Sequence, residues 1–244
     1  MNKLTKAGIA AWTLPLFLLA GFVTAEPIAF VGVDVLPMDS EEVLRHQTVV
    51  VDDGRIAVIG PTLDTPIPQG ATRIQGEGRS LMPGLTEMHA HIPSLRRGRE
   101  WIDEVLFLFV ANGVTTVRGM LGEPFHLELR DEVSSGRALG PRIITSGPSL
   151  NGRSVDGPDA AQRMVREQAA AGYDFLKLHP GLSLAEFDAI AATAKEVGIP
   201  FAGHVSEDVG LERTLAAGQA TIDHLDGYMQ ALVPADAKAP SSPG

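Results

Sequence analysis

The chain has 244 residues, 44% of them hydrophobic, with no cysteine. That much apolar surface excludes disorder throughout, and the missing thiol excludes a disulfide scaffold and any thiolate metal or nucleophile site. Thirty acidic residues against twenty basic ones give a net charge of −10, and only 5% are aromatic. Such a surface repels phosphate backbones and offers few rings for base stacking, so no nucleic-acid partner is expected.

Lys3 and Lys6 precede an uncharged run from Ala7 to Ala25. The run closes on Val23, Thr24 and Ala25, small residues at the positions a signal peptidase reads. This pattern predicts a secretory signal peptide over residues 1–25 and a mature protein in the periplasm or outside the cell. An uncleaved anchor is the alternative, because the run approaches the ~20 residues that span a bilayer. Pro15 and the cleavage-like end favour removal, and a lipid anchor is excluded without a cysteine. No stable membrane partner is expected once the segment is gone.

Residues 26–80 carry strand and turn signals. Ile28–Val35, Thr48–Val51 and Ile56–Ile59 are rich in β-branched residues, and Asp53 and Gly54 mark a tight hairpin between the last two. Pro61–Gly70 holds three prolines and reads as a loop. The stretch is too short to bury a full core of its own.

From Leu81 the pattern becomes strand and helix in alternation. Glu100–Ala111 is helical and closes at Gly113, and Val114–Val117 is a short β run. Pro124–Ser135 reads as helix before the strand Arg142–Thr145. Asp159–Ala171 is helical and ends at Gly172, ahead of the strand Phe175–Leu178. Ser183 caps Leu184–Val197, Gly198 stops it, and Phe201–Val205 is the next strand. Leu211–Ala217 is a further helix, and Thr221–Leu225 is predicted as the last strand. With His89, Val117, Ile144, Lys177, His204 and His224 as strand markers, the intervals are 28, 27, 33, 27 and 20 residues. That is the period of right-handed βα units on a parallel sheet. No Gly-x-Gly-x-x-Gly follows any of these strands, so a dinucleotide site has no support. A complete (β/α)8 barrel takes roughly 250 residues, so residues 81–233 are expected to form a partial one of about six units, with 234–244 as a flexible tail.

Four histidines stand in or at the ends of predicted strands. His89 and His91 are two apart, so on a strand both rings share a face, and neutral imidazoles suit zinc and similar divalent ions. His204 and His224 each end a strand of their own, and the C-terminal ends of barrel strands are where this architecture places its chemistry. Singly, each is more often a satisfied buried histidine; four at equivalent heights are hard to explain by packing. Lys177 lies in the apolar run Phe175–Leu178, where an unpaired ammonium is costly to bury. Either its head snorkels to a carboxylate, or it is carbamylated by carbon dioxide into a two-oxygen group able to bridge cations about 3.5–4 Å apart.

The run LMPGLTEMHAH at residues 81–91 resembles the first-strand signature of the amidohydrolase superfamily. GVTTVR at 113–118, YDFLK at 173–177 and the two later histidine strands follow in that family's order. The likeness is greatest to the imidazolonepropionase-like and Xaa-Pro dipeptidase-like branch, and Asp53–Ile56 resembles the β-sandwich that precedes its barrel. The resemblance implies a metal-dependent hydrolase of amide or peptide C–N bonds in small substrates, such as dipeptides. His89 and His91 would hold one divalent ion and His204 and His224 another, with zinc the first expectation. Lys177 would bridge them as its carbamate, and a hydroxide between the ions would attack the carbonyl.

The family also uses an aspartate at the end of strand eight as ligand and proton acceptor. Six strands are counted here, so no catalytic residue is assigned to that role, and the chain is expected to be C-terminally truncated and, as given, inactive without its C-terminal third. Asp223 and Asp226 flank His224 but neither follows an eighth strand. The alternative from a different class is a non-catalytic truncated product that binds metal weakly or not at all.

Arg118, at the end of strand two, could bind a substrate carboxylate or pair with a structural acid. His179 could touch substrate or be a loop histidine. Leu150–Ser154 is a mouth loop able to shape specificity, and His46 and His126 are expected at the surface. Self-association is left open.

Overall fold

A computed structural model of the chain describes residues 26–233. The predicted signal segment at 1–25 and the tail at 234–244 lie outside the described residues. Two compact units are present, meeting in sequence between Pro83 and Gly84.

The first unit is one five-stranded sheet. Its strands are β1 (Ile28–Val35), β2 (Leu44–Asp52), β3 (Arg55–Pro61), β4 (Thr72–Gln75) and β5 (Ser80–Leu81). The order is β3-β2-β1-β4, with β5 also on β1. Asp53 and Gly54 turn β2 into β3 with φ of 48° and 69°, the doubly left-handed hairpin turn that the Asp-Gly pair favours. Val33, Val35 and Val49 form its small buried core, with Phe30, Leu44 and Leu81 packed around them.

The second unit alternates strand and helix. It runs β6 (Leu85–Ala90), α1 (Arg99–Ala111), β7 (Val114–Gly119), α2 (Phe125–Ser134), β8 (Arg142–Thr145), α3 (Gly157–Ala171), β9 (Leu176–Leu178), α4 (Leu184–Val197), β10 (Phe201–Gly203), α5 (Gly210–Ala216) and α6 (Tyr228–Leu232). β6, β7 and β8 form one parallel sheet, and β9 and β10 another. Parallel bridges from Ser146 to Phe175 and from Leu150 to Leu178 carry the pairing across the gap. The unit is therefore a partial (β/α)8 barrel, and among the described residues it does not close.

Local chemistry accounts for the helices. Ser183 accepts the Glu186 amide while the Glu186 carboxylate accepts from the Ser183 backbone, a reciprocal cap that starts α4. Gly198, with φ of 75°, ends it in the left-handed region. Phe187, Ile190 and Ala194 recur at helical spacing and are buried against Leu176, Phe201 and Val165. Burial of side chains the size of Phe187 and Ile190 contributes about 1.5–3 kcal/mol each. A second cluster, Ile102, Leu106, Val117, Leu129 and Ile143, seats α1 and α2 on β6–β8.

Two strand expectations are corrected. β10 stops at Gly203 rather than Val205, because the backbone there crowds β9: a Cβ on Gly203 would stand 2.1 Å from the Leu178 carbonyl oxygen. The segment predicted as the last strand makes a single bridge, Gly203 to Ile222, and then a 3-10 turn over Asp223–Leu225. His224 and Leu225 there have φ of 53° and 61°, which no strand accommodates. No described helix is long and apolar enough to cross a membrane.

Candidate metal centre

The C-terminal ends of β6, β9 and β10 and the 3-10 turn over Asp223–Leu225 bring five imidazoles into one row. His89 is on β6 and His91 one residue past its end, and their ring centroids are 5.3 Å apart. His224 lies 4.8 Å from His89 and 5.2 Å from His204, and His204 stacks on His179 at 4.9 Å. The His204 amide donates to the Leu178 carbonyl at 3.0 Å, so the parallel ladder continues one residue past β10 and fixes that ring beside β9. The left-handed pair His224 and Leu225 bends the chain after Ile222 and turns His224 toward His89. Non-glycine residues in that region cost of order 1–3 kcal/mol each and gather at functional sites.

Lys177, the middle residue of β9, is fully buried. Its Nζ donates to Asp223 Oδ2, and the same oxygen lies 3.7 Å from His89 Nδ1. Asp223 is thus the site carboxylate that sequence reasoning set aside. The usable signal was an aspartate directly before one of the four singled-out histidines, with a buried lysine needing a counter-charge. Asp226 accepts from His204 Nδ1 at 2.7 Å; a carboxylate only accepts, so Nδ1 carries the proton and the Nε2 lone pair is left for a metal.

Burial is the first cause of every resolved shift among these groups. It lowers the His89 pKa, with Asp223 opposing. It pushes His179 down to about 4, helped by the neighbouring Lys177 charge. It lowers Lys177 against the pull of Asp223. His179 Nδ1 is hydrogen-bonded to Ser149 Oγ at 2.6 Å. His89 and His179 are therefore neutral at pH 7, and the neutral ring is the form that binds metal.

Arg118 Nε donates to the Met88 carbonyl at 2.8 Å, and its guanidinium lies 5.7 Å from the Phe175 ring centroid. It braces the backbone next to His89. His46 is exposed, as expected. His126 is not at the surface: it is 1% exposed. It opens α2 on the same face as buried Leu129, three residues on. Its Nε2 bonds the Pro93 carbonyl at 3.3 Å, and its Nδ1 has no partner among the described residues.

Donor atoms of His89, Asp223 and His224 all lie within 4.8 Å of one another. Two ligands each about 2.1 Å from one ion are at most ~4.2 Å apart, so small side-chain adjustments close the set on a divalent cation. The donors, two imidazoles and a carboxylate, suit zinc and its neighbours in the first row. The residues fit a metal.

The family model described as the amidohydrolase family matches residues 80–240. Adenine deaminase of Paracoccus denitrificans is 28% identical over 207 residues, covering 76% of this chain and 33% of that protein. The 5-methylthioadenosine/S-adenosylhomocysteine deaminase of Symbiobacterium thermophilum is 39% identical over 153 residues, or 60% of this chain and 33% of that protein. A solved structure assigned as a candidate prolidase, from Bifidobacterium longum, superposes with a TM-score of 0.71 at 29% identity, covering 82% of this chain and 54% of that one. An Xaa-Pro dipeptidase with bound methionine shares the fold at a TM-score of 0.68 and 21% identity, over 81% of this chain and 61% of that one. The chain thus spans about a third of the length of the curated relatives it matches.

Removing one partner of a buried ion pair typically costs about 3–5 kcal/mol, because the other charge is left stranded. Metal-free Asp223→Asn is predicted to lose stability in that range in urea unfolding, and Lys177→Met combined with Asp223→Asn to regain much of it. An Asp223→Asn protein within about 0.5 kcal/mol of wild type, the usual range for a neutral surface change, would show that the pair is not what holds this turn.

Proposed function

The chain belongs to the amidohydrolase family, and from that premise we propose that it serves metal-dependent hydrolysis of amide- or peptide-type C–N bonds in small substrates. The observation that carries this reading is the meeting of His89, His91, His204, His224, Lys177 and Asp223 at the strand ends of a partial barrel. Relatives named as deaminases and a fold neighbour named as a dipeptidase support cleavage at C–N bonds as the reaction class.

In this proposal His89 and His91 would hold one divalent ion and His204 and His224 a second, the pairing that the family resemblance implies, with the His89–Asp223–His224 set as the alternative single site. Lys177 lies between the pairs as its carbamate. Only the neutral amine reacts with carbon dioxide: its nitrogen bonds the carbon and releases a proton. The lowered Lys177 pKa favours that form, and Asp223, already against Nζ, can take the proton. Divalent ions bound there supply Lewis acidity toward a carbonyl and toward water.

The chain's own groups do the rest. Asp223 is the carboxylate placed to accept a proton from attacking water, the role that the family resemblance gives to a strand-eight aspartate. Asp226 fixes the His204 tautomer. In the tautomer where Ser149 donates to Nδ1, His179 would carry its proton on Nε2 and could donate it to a substrate oxygen. Arg118, already bound to Met88, steadies the end of β6.

Because Asp223 supplies a carboxylate at the site, purified protein loaded with Zn²⁺ in bicarbonate is predicted, against the sequence-based expectation of an inactive chain, to hydrolyse members of a dipeptide and N-acyl amino acid panel. His89→Ala and His224→Ala should each lower bound metal, read by elemental analysis. Asp226→Ala, which only orients His204, should lose about 10–100-fold in metal affinity or activity. Undiminished metal content in both histidine variants would contradict the assignment.

Export is proposed as well, supported by Lys3, Lys6, the apolar run and the small residues Val23 and Ala25. N-terminal sequencing of protein from an extracytoplasmic fraction should begin at Glu26. An intact Met1 in the membrane fraction would favour the anchor.

A further inference from the structure

We propose that Arg153 is a specificity-determining residue that binds a free carboxylate on the substrate, so that the preferred substrates are amides carrying one, such as N-acyl amino acids and dipeptides. The inference rests on the hydrolase reading for its reaction and on separate observations for its ligand.

A cavity of about 480 Å³ opens at the edge of the imidazole row, lined by Asn151, Gly152, Arg153, His179, Pro180 and Gly181. The depression is open to solvent on one side. His179 belongs to both the cavity and the row, since it stacks on His204 at 4.9 Å. A ligand in the cavity therefore lies against His179, whose ring stacks on His204, a proposed metal-binding side chain.

The loop that presents Arg153 is built rather than slack. Asn151 Oδ1 accepts the amides of Arg153 at 2.9 Å and Ser154 at 3.2 Å. Ser154 Oγ donates to the Ser149 carbonyl at 2.8 Å, and Ser149 Oγ is the atom bonded to His179. Leu150 and His179 also exchange backbone contacts with β9 and its continuation: Leu150 N to Lys177 O and His179 N to Leu150 O, each 2.9 Å. Behind them the chain passes so close that a Cβ on Gly152 would be 2.2 Å from the Gly181 carbonyl oxygen. Hydrogen bonds thus run unbroken from the loop to His179, which fixes where position 153 sits.

Charge then selects the ligand. The chain carries −10, so its long-range field opposes an anionic substrate and a local cation is needed. Two of the cations around the site are committed: Lys177 to Asp223, and Arg118 to the Met88 carbonyl and the Phe175 face. Arg153 lines the cavity, and its guanidinium has no ion-pair partner among the described residues. A guanidinium matches a carboxylate in a two-pronged, charge-assisted pair.

The test compares N-acetyl-L-amino acids with their C-terminal carboxamides, which share the scissile bond and lack the charge. With metal-loaded full chain, Arg153→Ala should raise KM for the acids about tenfold or more, the scale of a lost charge-assisted hydrogen bond. It should leave kcat, and KM for the carboxamides, nearly unchanged, and Arg153→Lys should recover part of the loss. Equal effects on acids and carboxamides, or none, would overturn the proposal. If nothing in the panel turns over, the hydrolase reading fails on its own. NMR titration with the N-acetyl acids then decides for Arg153: saturable binding weakened about tenfold in Arg153→Ala supports it, while absent or unaltered binding refutes it.

Discussion

The contact between Lys177 and Asp223 is the constraint on which the candidate site depends. β9 is only three residues long and its middle side chain is a lysine with no exposure at all. An ammonium in that position cannot be left unpaired, since removing it from water costs several kcal/mol even after relaxation. The counter-charge comes from 46 positions downstream, from a turn that would otherwise continue as strand. Drawing Asp223 inward fixes the next residue too, and His224 takes a left-handed conformation that brings its ring against His89 and His204. One buried ion pair thereby ties the far end of the unit to its first strand.

Around that pair, short strands and tight glycine contacts do the positioning. β10 ends where Gly203 lets two backbones touch, and the ladder passes through His204 to Leu178. Three of the five imidazoles then have a specific polar neighbour: His204 has Asp226, His179 has Ser149, and His89 has Asp223. Burial lowers the pKa of His89, His179 and Lys177 together. Imidazoles held neutral bind cations rather than protons, and perturbed groups of this kind gather at functional sites. The same openness that exposes Leu85 and Met88 on β6, at 53% and 50%, leaves the imidazole row accessible.

Much of this was legible in the sequence because local rules fix it. The βα period, the Asp53 and Gly54 hairpin, the Ser183 cap and the Gly172 and Gly198 stops depend on neighbours within a few residues. So does the two-residue spacing of His89 and His91, which a strand turns directly into a shared face. What the sequence did not disclose depends on distant partners. Asp223 is assigned by Lys177, and the loss of strand at Asp223–Leu225 follows from the same attraction. β4 and β5 have four and two residues with little apolar alternation, so only their pairing with β1 identifies them. His126 was misread from its place off the strand ends; its three-residue spacing from Leu129 pointed inward all along.

In the proposed metal-loaded form Lys177 exchanges its bond to Asp223 for a carbamate that joins the two histidine pairs. The direct measurement is ¹³C NMR of metal-loaded protein equilibrated with ¹³C-bicarbonate, beside a Lys177→Ala control. The account predicts one slowly exchanging carbamate resonance that requires both metal and Lys177 and disappears when the metal is chelated. Metal bound at full occupancy with no such resonance would contradict it, and would leave His89, Asp223 and His224 as the ligands of a single ion.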